Sequence, residues 1–435
     1  MKHTLVALAV LGFGASAAQA QEVVKIGTAA PLTGTQSHLG KDIENGVRLA
    51  IEDYNAKGVT LGGKKVKFEV MAEDDAADPK TATTVAQRLV DSGVKGVVGH
   101  LNSGASIPAS RIYNEGGIPQ VSPASTNPKL TQQNFKGTFR TIANDVQQGL
   151  AIGKYAATKL GGKVALIDDR TAYGQGLADE VEKAVKASGG KLVAREFTSD
   201  KATDFLSILT RIKAQNPDVI VYSGMDTQGG PMLKQIKQLG MSAKFITGDG
   251  GCTGEIIKLA GDAIGPNAYC TQPGLPLEKM PGGKDFNARF KKRFHTEVQI
   301  YAPYSYDAAS AIIEAMKAAN SSDPAKYAAS IGKVNFPGVI GTVAFDAKGD
   351  IKEGAVTVYQ FKSGKWEPVN CAPNRPDACR RTSVRQFASS QGRAASRGFG
   401  AVSGPGLFFR QRHLVVPTFP NPSGSHRWKP FSSKP

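Results

Sequence analysis

Short runs of apolar residues recur along the chain, and between them apolar side chains return every three or four positions. The first pattern suits a strand buried on both faces, the second an amphipathic helix. On this basis Val23 to Gly27 is a strand, and Ile43 to Lys57 is a helix with Val47, Ala50, Ile51 and Tyr54 on one face. Val66 to Met71 is a further strand, and Asp78-Pro79 opens a helix to about Ser92, with Asp as cap and Pro in the first helical position. Strands Val97 to Gly99 and Pro119 to Ser122 flank a helix from about Ser106 to Asn114.

A second series follows: strand Val164 to Asp168, helix Gly176 to Ser188, strand Lys191 to Phe197, helix Phe205 to Gln215 and strand Val219 to Tyr222. Helix Met232 to Leu239 and strand Phe245 to Thr247 complete it. Such alternation predicts parallel sheets covered by helices on both faces. Two series exceed what one domain ordinarily holds, so two lobes are expected. The helices Asp285 to Phe294 and Tyr304 to Ala319 fit either lobe by pattern.

Composition changes this picture at both ends. Lys2, the apolar run Leu5 to Ala15 and the small-x-small Ala18-Gln19-Ala20 have the form of a secretory signal peptide cleaved after Ala20, which predicts a periplasmic protein. From Asn370 to Pro435 the chain is rich in Arg, Ser, Gly and Pro without sustained periodicity, and carries +10 of the formal +17. That tail, with Cys371 and Cys379, reads as disordered and foreign to the fold, so the basic charge does not argue for a nucleic-acid partner. Cys252 and Cys270 lie in the body; an oxidising compartment favours a disulfide between them over two buried thiols.

Candidate chemistry gathers where strands end. GHLNSGAS, residues 99 to 106, places glycine, amide and hydroxyl groups between a strand and a helix. By itself it reads first as a tight turn, with an anion seat built from unpaired N–H groups at a helix start as the alternative. The next strand ends in SPASTNP, residues 122 to 128, so Ser103 and Thr126 are able to converge on one anionic group. In the second series Asp249 stands among glycines, as a carboxylate suited to an ammonium group or as a turn residue. Hydroxyls from one lobe and a carboxylate from the other describe a receptor for a zwitterion.

These segments resemble the periplasmic solute-binding proteins for branched-chain amino acids, the leucine, isoleucine and valine receptors of ABC importers. The similarity runs from about Val24 to Val369 and rests on GTAAPLTG (27 to 34), DYNAKG (53 to 58), EDDAADP (73 to 79), VVGHLNSGAS (97 to 106), SPASTNP (122 to 128), YGQG (173 to 176) and FDAKGD (345 to 350) taken together. It implies an α/β periplasmic binding protein type I fold, two doubly wound Rossmann-like lobes joined by three hinge crossovers. Lobe 1 would comprise residues 21–141 and 274–341, lobe 2 residues 142–273 and 342–369.

The resemblance further implies that Ser103 and Thr126 hold a ligand carboxylate, and that the Ala124 carbonyl and Asp249 hold its ammonium. Tyr173 also matches, while Leu39, Met225 and Tyr301 bound an apolar side pocket. The family's best-known members carry Glu at the place of Asp249 and aromatics at those of Leu39 and Met225. They bridge two cysteines where this chain has Ala77 and Asn102, the latter counted here as a ligand-site residue.

The expected function is capture of Leu, Ile, Val or a related apolar amino acid by hinge closure, as a monomer, with delivery to an ABC permease. Receptors of the same design for amides, urea or aromatic acids, or a sensory receptor, are the alternatives. No phosphate loop or dinucleotide spacing occurs, and His38, His100 and His295 form no metal pattern, so neither enzyme, cofactor nor metal is expected. Intact mass of the protein from its own host is expected to correspond to a chain that begins at Gln21 and lacks the residues after Val369; a full-length mass contradicts both terminal assignments.

Overall fold

The structure, a computed structural model, describes residues 21–369. The expected signal segment 1–20 and the tail 370–435, including Cys371 and Cys379, lie outside the described residues.

The first lobe begins with β1 (Glu22–Ala30), α1 (Ser37–Lys57), β2 (Val59–Leu61), β3 (Lys64–Asp74) and α2 (Pro79–Asp91). It continues through β4 (Val97–Gly99), α3 (Ser103–Glu115), β5 (Gln120–Ser122), α4 (Lys129–Gln132) and β6 (Thr138–Arg140). The second lobe takes α5 (Asp145–Lys159), β7 (Lys163–Asp168), α6 (Ala172–Ala187), β8 (Lys191–Phe197), α7 (Leu206–Ala214) and β9 (Val219–Ser223). There follow α8 (Asp226–Gln238), β10 (Lys244–Thr247), α9 (Gly254–Ala260) and β11 (Ala268–Pro273). The chain returns to the first lobe for α10 (Gly283–Phe294), α11 (Ala302–Ala319), α12 (Pro324–Ile331), β12 (Asn335–Pro337) and β13 (Thr342–Ala344), and ends in the second with β14 (Val356–Lys362) and β15 (Lys365–Pro368).

Strand order is β2-β3-β1-β4-β5-β6 in one sheet and β15-β14-β11-β10-β9-β7-β8 in the other. Both are parallel at their centres, where consecutive strands are joined through helices, and antiparallel at an edge. The edges differ from the all-parallel expectation because two-residue turns fold the chain straight back. Gly62-Gly63 joins β2 to β3 and Ser363-Gly364 joins β14 to β15, with positive φ at all four residues, which suits the twist of a hairpin.

Central strands are buried on both faces. In the second sheet Val164, Leu166, Val221 and Ile246 face the α5 and α6 side, while Ala165, Ile167, Ile220 and Phe245 face the α7 to α9 side. Several helices depart from the sequence pattern; α1 begins at Ser37 and α6 at Ala172, each a turn or more before the expected Ile43 and Gly176. α3 starts at Ser103, a turn earlier than expected, and α8 starts at Asp226 and runs through Gly229-Gly230-Pro231. Those glycines are a close-approach surface: a Cβ at Gly230 would run into Leu259 of α9, and one at Gly229 into Ile256. α5 carries no strong apolar stripe and was not foreseen; an Asn144–Gln147 capping box starts it.

Three segments cross between lobes: residues 141–144, the chain after Pro273, and the segment between Ile351 and Val356. The third lies beyond the expected Gly341, because Val343, Phe345 and Ile351 bury into the first lobe's core beside Phe139, with Phe139 and Phe345 ring centroids 5.1 Å apart. Residues 342–351 therefore pack with the first lobe. At the hinge Tyr304 donates its hydroxyl to Pro273 O (2.5 Å), and Gly274 N–H donates to Ala355 O (2.6 Å). Gly274 has φ +82°, and any Cβ there would strike the Tyr304 hydroxyl, so only glycine fits. Cys252 and Cys270 form a disulfide, Cα atoms 5.3 Å apart, tying the turn after β10 to β11.

One buried carboxylate sets the approach of α1 to α11. Asp42 of α1 accepts the N–H groups of Gln299 (3.0 Å), Ile300 (3.0 Å), Tyr301 (2.7 Å) and Ala302 (2.9 Å), four donors that the start of α11 leaves free. Burial raises the pKa of Asp42, and those four donors oppose the shift. Asp42→Ala strands the donors without water, so a stability loss of at least about 3 kcal/mol in urea unfolding is expected. A loss below about 1 kcal/mol contradicts this capping role.

Candidate functional site

The carboxyl ends of the central strands of both sheets face each other across a cleft. From the first lobe Asn102, Ser103, Ala124 and Tyr301 line a cavity there; from the second come Tyr173, Met225 and Asp249. Leu101 and Gly250, not singled out from sequence, complete the lining. Leu39 is buried in the same apolar cluster as Met225 and Tyr301, but behind the cavity wall rather than on it. Thr126 also lies outside the lining, fully buried, with its hydroxyl lacking a hydrogen-bond partner among the described residues.

Backbone geometry prepares the first-lobe side for an anion. Asn102 caps α3 without a side-chain bond to the helix; its amide donates to Gln36 Oε1 (2.8 Å), and its carbonyl accepts the N–H groups of Ala105 (3.0 Å) and Ser106 (2.9 Å). The thirteen-residue helix thus starts at the cavity, where Asn102 and Ser103 line it, with its positive dipole end there. Ser103 Oγ lies in that turn and accepts Asn127 N–H (3.2 Å). The SPASTNP loop is fixed from beneath: fully buried Arg140 donates to Ser125 O (2.7 Å) and Asn127 O (3.0 Å) while pairing with Asp350 (2.5 Å). His100 lies behind the loop, its Nδ1 against Asp75 (2.7 Å) and its Nε2 against the Tyr113 hydroxyl (3.0 Å), all three buried. That is a structural histidine.

The second-lobe side is acidic. Asp249 opens the turn after β10, and its carboxylate accepts the hydroxyls of Tyr173 (2.9 Å) and, from the opposite lobe, Tyr301 (2.8 Å). Its own N–H donates to Gln148 Oε1 of α5 (2.9 Å). Burial raises the Asp249 pKa, and the hydroxyl donors offset only part of the shift; among the described residues no cationic side chain pairs with it. Gln148 was missed from sequence because α5 was, although the capping box was a legible signal for that helix.

Two further hydrogen bonds join the lobes. Asn127 Nδ2 donates to Ala172 O (2.5 Å), and His38 Nε2 of α1 meets Asp226 Oδ2 of α8 (2.9 Å), an oxygen that also accepts from Thr253 Oγ1 (2.7 Å). With the lobes so drawn together the cavity is about 20 Å³, room for about one water. An amino acid requires them to part. A wider depression between β8 and α7, bordered by Arg195, Glu196 and Arg211, is shallow and has its charges paired, with Arg211 and Glu196 2.7 Å apart. It offers no comparable set of unpaired groups.

His38 makes the closed arrangement depend on pH. Burial by itself lowers its pKa; the hydrogen bond and negative charge of Asp226, with a contribution from Glu255, outweigh burial and raise it. With the lobes apart the imidazole has its ordinary value of about 6.5. The latch is therefore fully formed below about pH 6.5 and is lost as pH rises through the higher closed-state value. Ligand affinity is expected to fall across this range in the wild type and to stay level in His38→Gln; the same slope in both proteins contradicts the latch.

Comparison with known proteins places this geometry in context. The periplasmic binding protein family matches residues 23–365. The Leu/Ile/Val-binding protein homolog 2 of Brucella abortus is 36% identical over 347 residues, covering 79% of this chain and 91% of the relative. Among solved structures, leucine binding protein LivK of Thermotoga maritima superposes with a TM-score of 0.74 at 28% identity, covering 80% of this chain and 98% of its own. LivJ of Streptococcus pneumoniae, solved with isoleucine, gives a TM-score of 0.72 at 28% identity, covering 80% and 99%. With a match across nearly all the described residues, two doubly wound lobes and a polar cleft between them, the chain belongs to the periplasmic binding protein family.

Proposed function

We propose that this protein is a periplasmic receptor that captures leucine, isoleucine, valine or a related apolar amino acid between its lobes and hands it to the permease of an ABC importer. The observation that carries the reading is the pairing of opposites across one cavity. The positive end of α3 and the Ser103 hydroxyl stand on the first lobe, and on the second a buried carboxylate, Asp249, with no cationic partner among the described residues. An α-amino acid presents a carboxylate and an ammonium on the same carbon atom, and each finds its complement there.

The Ala124 carbonyl edge supports the ammonium end, and Thr126 stands close behind the carboxylate end. Met225, Leu101 and Tyr301 supply apolar surface for the side chain, with Met225 the adaptable member. Because contacts come from both lobes, ligand stabilises the closed state specifically, and the three crossovers provide the hinge. The names of the Brucella relative and of the two solved proteins, leucine or branched-chain amino acid receptors, support this ligand class. Membership of an ABC importer and a periplasmic location follow the same family logic.

Removing one hydrogen-bonding group to a charged ligand atom costs about 1.5 to 3 kcal/mol. Titration calorimetry of Ser103→Ala with leucine, isoleucine and valine is expected to show at least about tenfold weaker binding, and Thr126→Ala a smaller loss because its hydroxyl stands behind the lining, both with unchanged circular dichroism. Asp249→Asn is expected to lose more, about 2 to 5 kcal/mol, because the ammonium is left without its counter-charge. Unaltered affinity in all three variants contradicts the headgroup assignment, and binding only of ligands without an amine contradicts the amino-acid reading.

A further inference from the structure

Asp145 is the first residue of α5, reached just after the chain crosses from the first lobe. Its N–H donates to Thr126 O (2.9 Å), its carboxyl group is fully buried, and neither oxygen has a hydrogen-bond partner among the described residues. The Thr126 hydroxyl is its neighbour, yet the two complete no bond of ordinary geometry. Across from it, a methyl group on Gly176 would sit 3.0 Å from Asp145 Oδ2 and against the Asn127 amide. One helical turn further on, Gln148 holds the Asp249 N–H while its own amide N–H groups are buried without an acceptor. The Asp145 carboxyl group thus lies beside Thr126, and the Asp249 turn lies one helical turn further along α5, at Gln148, within electrostatic reach of it.

We propose that Asp145 is a specificity-determining residue: with Asp249 it makes closure conditional on a ligand amine, so that the cleft rejects simple carboxylic acids of the same shape. The inference rests on the amino-acid reading above and extends it. Thr126 and Asn127, which cover Asp145, belong to the opposite lobe, so closing the cleft is what removes this carboxylate from water. Two buried acids then lie within electrostatic reach of each other, and the cation at hand, Arg140, is already engaged with Asp350 and two carbonyls.

The charges facing Asp145 are Asp249 after β10, Glu180 on α6 and Arg140 on β6, with the Tyr173 phenol nearby. Burial, reinforced by Asp249 and Glu180, pushes the closed-state pKa up to about 8 against the opposing pull of Thr126 and Arg140. A ligand amine supplies the missing positive charge and lets both acids stay ionised. An acid without an amine obliges Asp145 to take up a proton as the lobes close. With an ordinary value of about 3.9 in the open form, that uptake weakens binding about tenfold per pH unit until pH passes the closed-state value, above which it levels off.

The test compares leucine with 4-methylpentanoate, the same skeleton with hydrogen in place of the amine, by calorimetry on the full chain from about pH 6 to about pH 8. In the wild type the preference for leucine is expected to widen about 50-fold over that range. Titration of His38 acts equally on both ligands and cancels in the ratio. In Asp145→Asn, and in the smaller Asp145→Ser, the ratio is expected to change less steeply with pH than in wild type, Asp249 supplying what slope remains, with 4-methylpentanoate bound more tightly than by wild type at the alkaline end. A flat ratio in wild type overturns the proposal without needing any variant, and so does an Asp145→Asn protein in which both ligands weaken equally with the pH slope intact. If no amino acid binds the wild type at all, the amino-acid reading fails and this inference falls with it.

Discussion

Asp249 sits between two lobes with its carboxylate out of water, held by the hydroxyls of Tyr173 and Tyr301 and met by no cationic side chain among the described residues. Burying such a group is costly unless it is paired. Two phenol donors reduce that cost without removing it, and a ligand ammonium removes more. Closure and recognition are therefore one event: the lobes come together most favourably around a molecule that brings positive charge to this point.

Much of the remaining structure holds the parts of that event in place. Tyr301 reaches Asp249 because Asp42, on a helix far away in sequence, gathers four N–H groups at the start of α11. Gln148 and the Cys252–Cys270 disulfide fix the turn that carries Asp249, from α5 and from β11 respectively. On the opposite lobe Arg140 ties down the loop bearing Ala124 and Thr126, and it does so through Asp350, next to the third crossover. The anion side of the site and the hinge thus share one buried ion pair.

Most of the architecture was legible in the alternation of apolar runs and helical stripes, since a strand buried on both faces and a helix covering it impose different spacings. Ser103, Asp249 and Tyr301 were likewise legible, from hydroxyl- and glycine-bearing strand ends and from the family resemblance. What escaped has identifiable causes. α5 has a weak stripe because it packs between sheet and α6 with polar residues turned to the cleft, and so Asp145 and Gln148 went unseen. Gly229 and Gly230 look like helix breakers but serve close packing on α9, which hid the start of α8. The third crossover was misplaced because Val343 and Phe345 extend the first lobe's core past the glycine that looked like a boundary. In each case tertiary contact decided what local spacing left open.

The central claim is that one molecule with a carboxylate and an ammonium draws the two lobes together. Small-angle X-ray scattering of protein freed of bound ligand, recorded with and without saturating leucine, tests it most directly. The account predicts a smaller radius of gyration with leucine, and no such contraction with leucine in Asp249→Asn at the same concentration. A wild-type protein that binds leucine yet keeps its dimensions, or that contracts equally without Asp249, contradicts it.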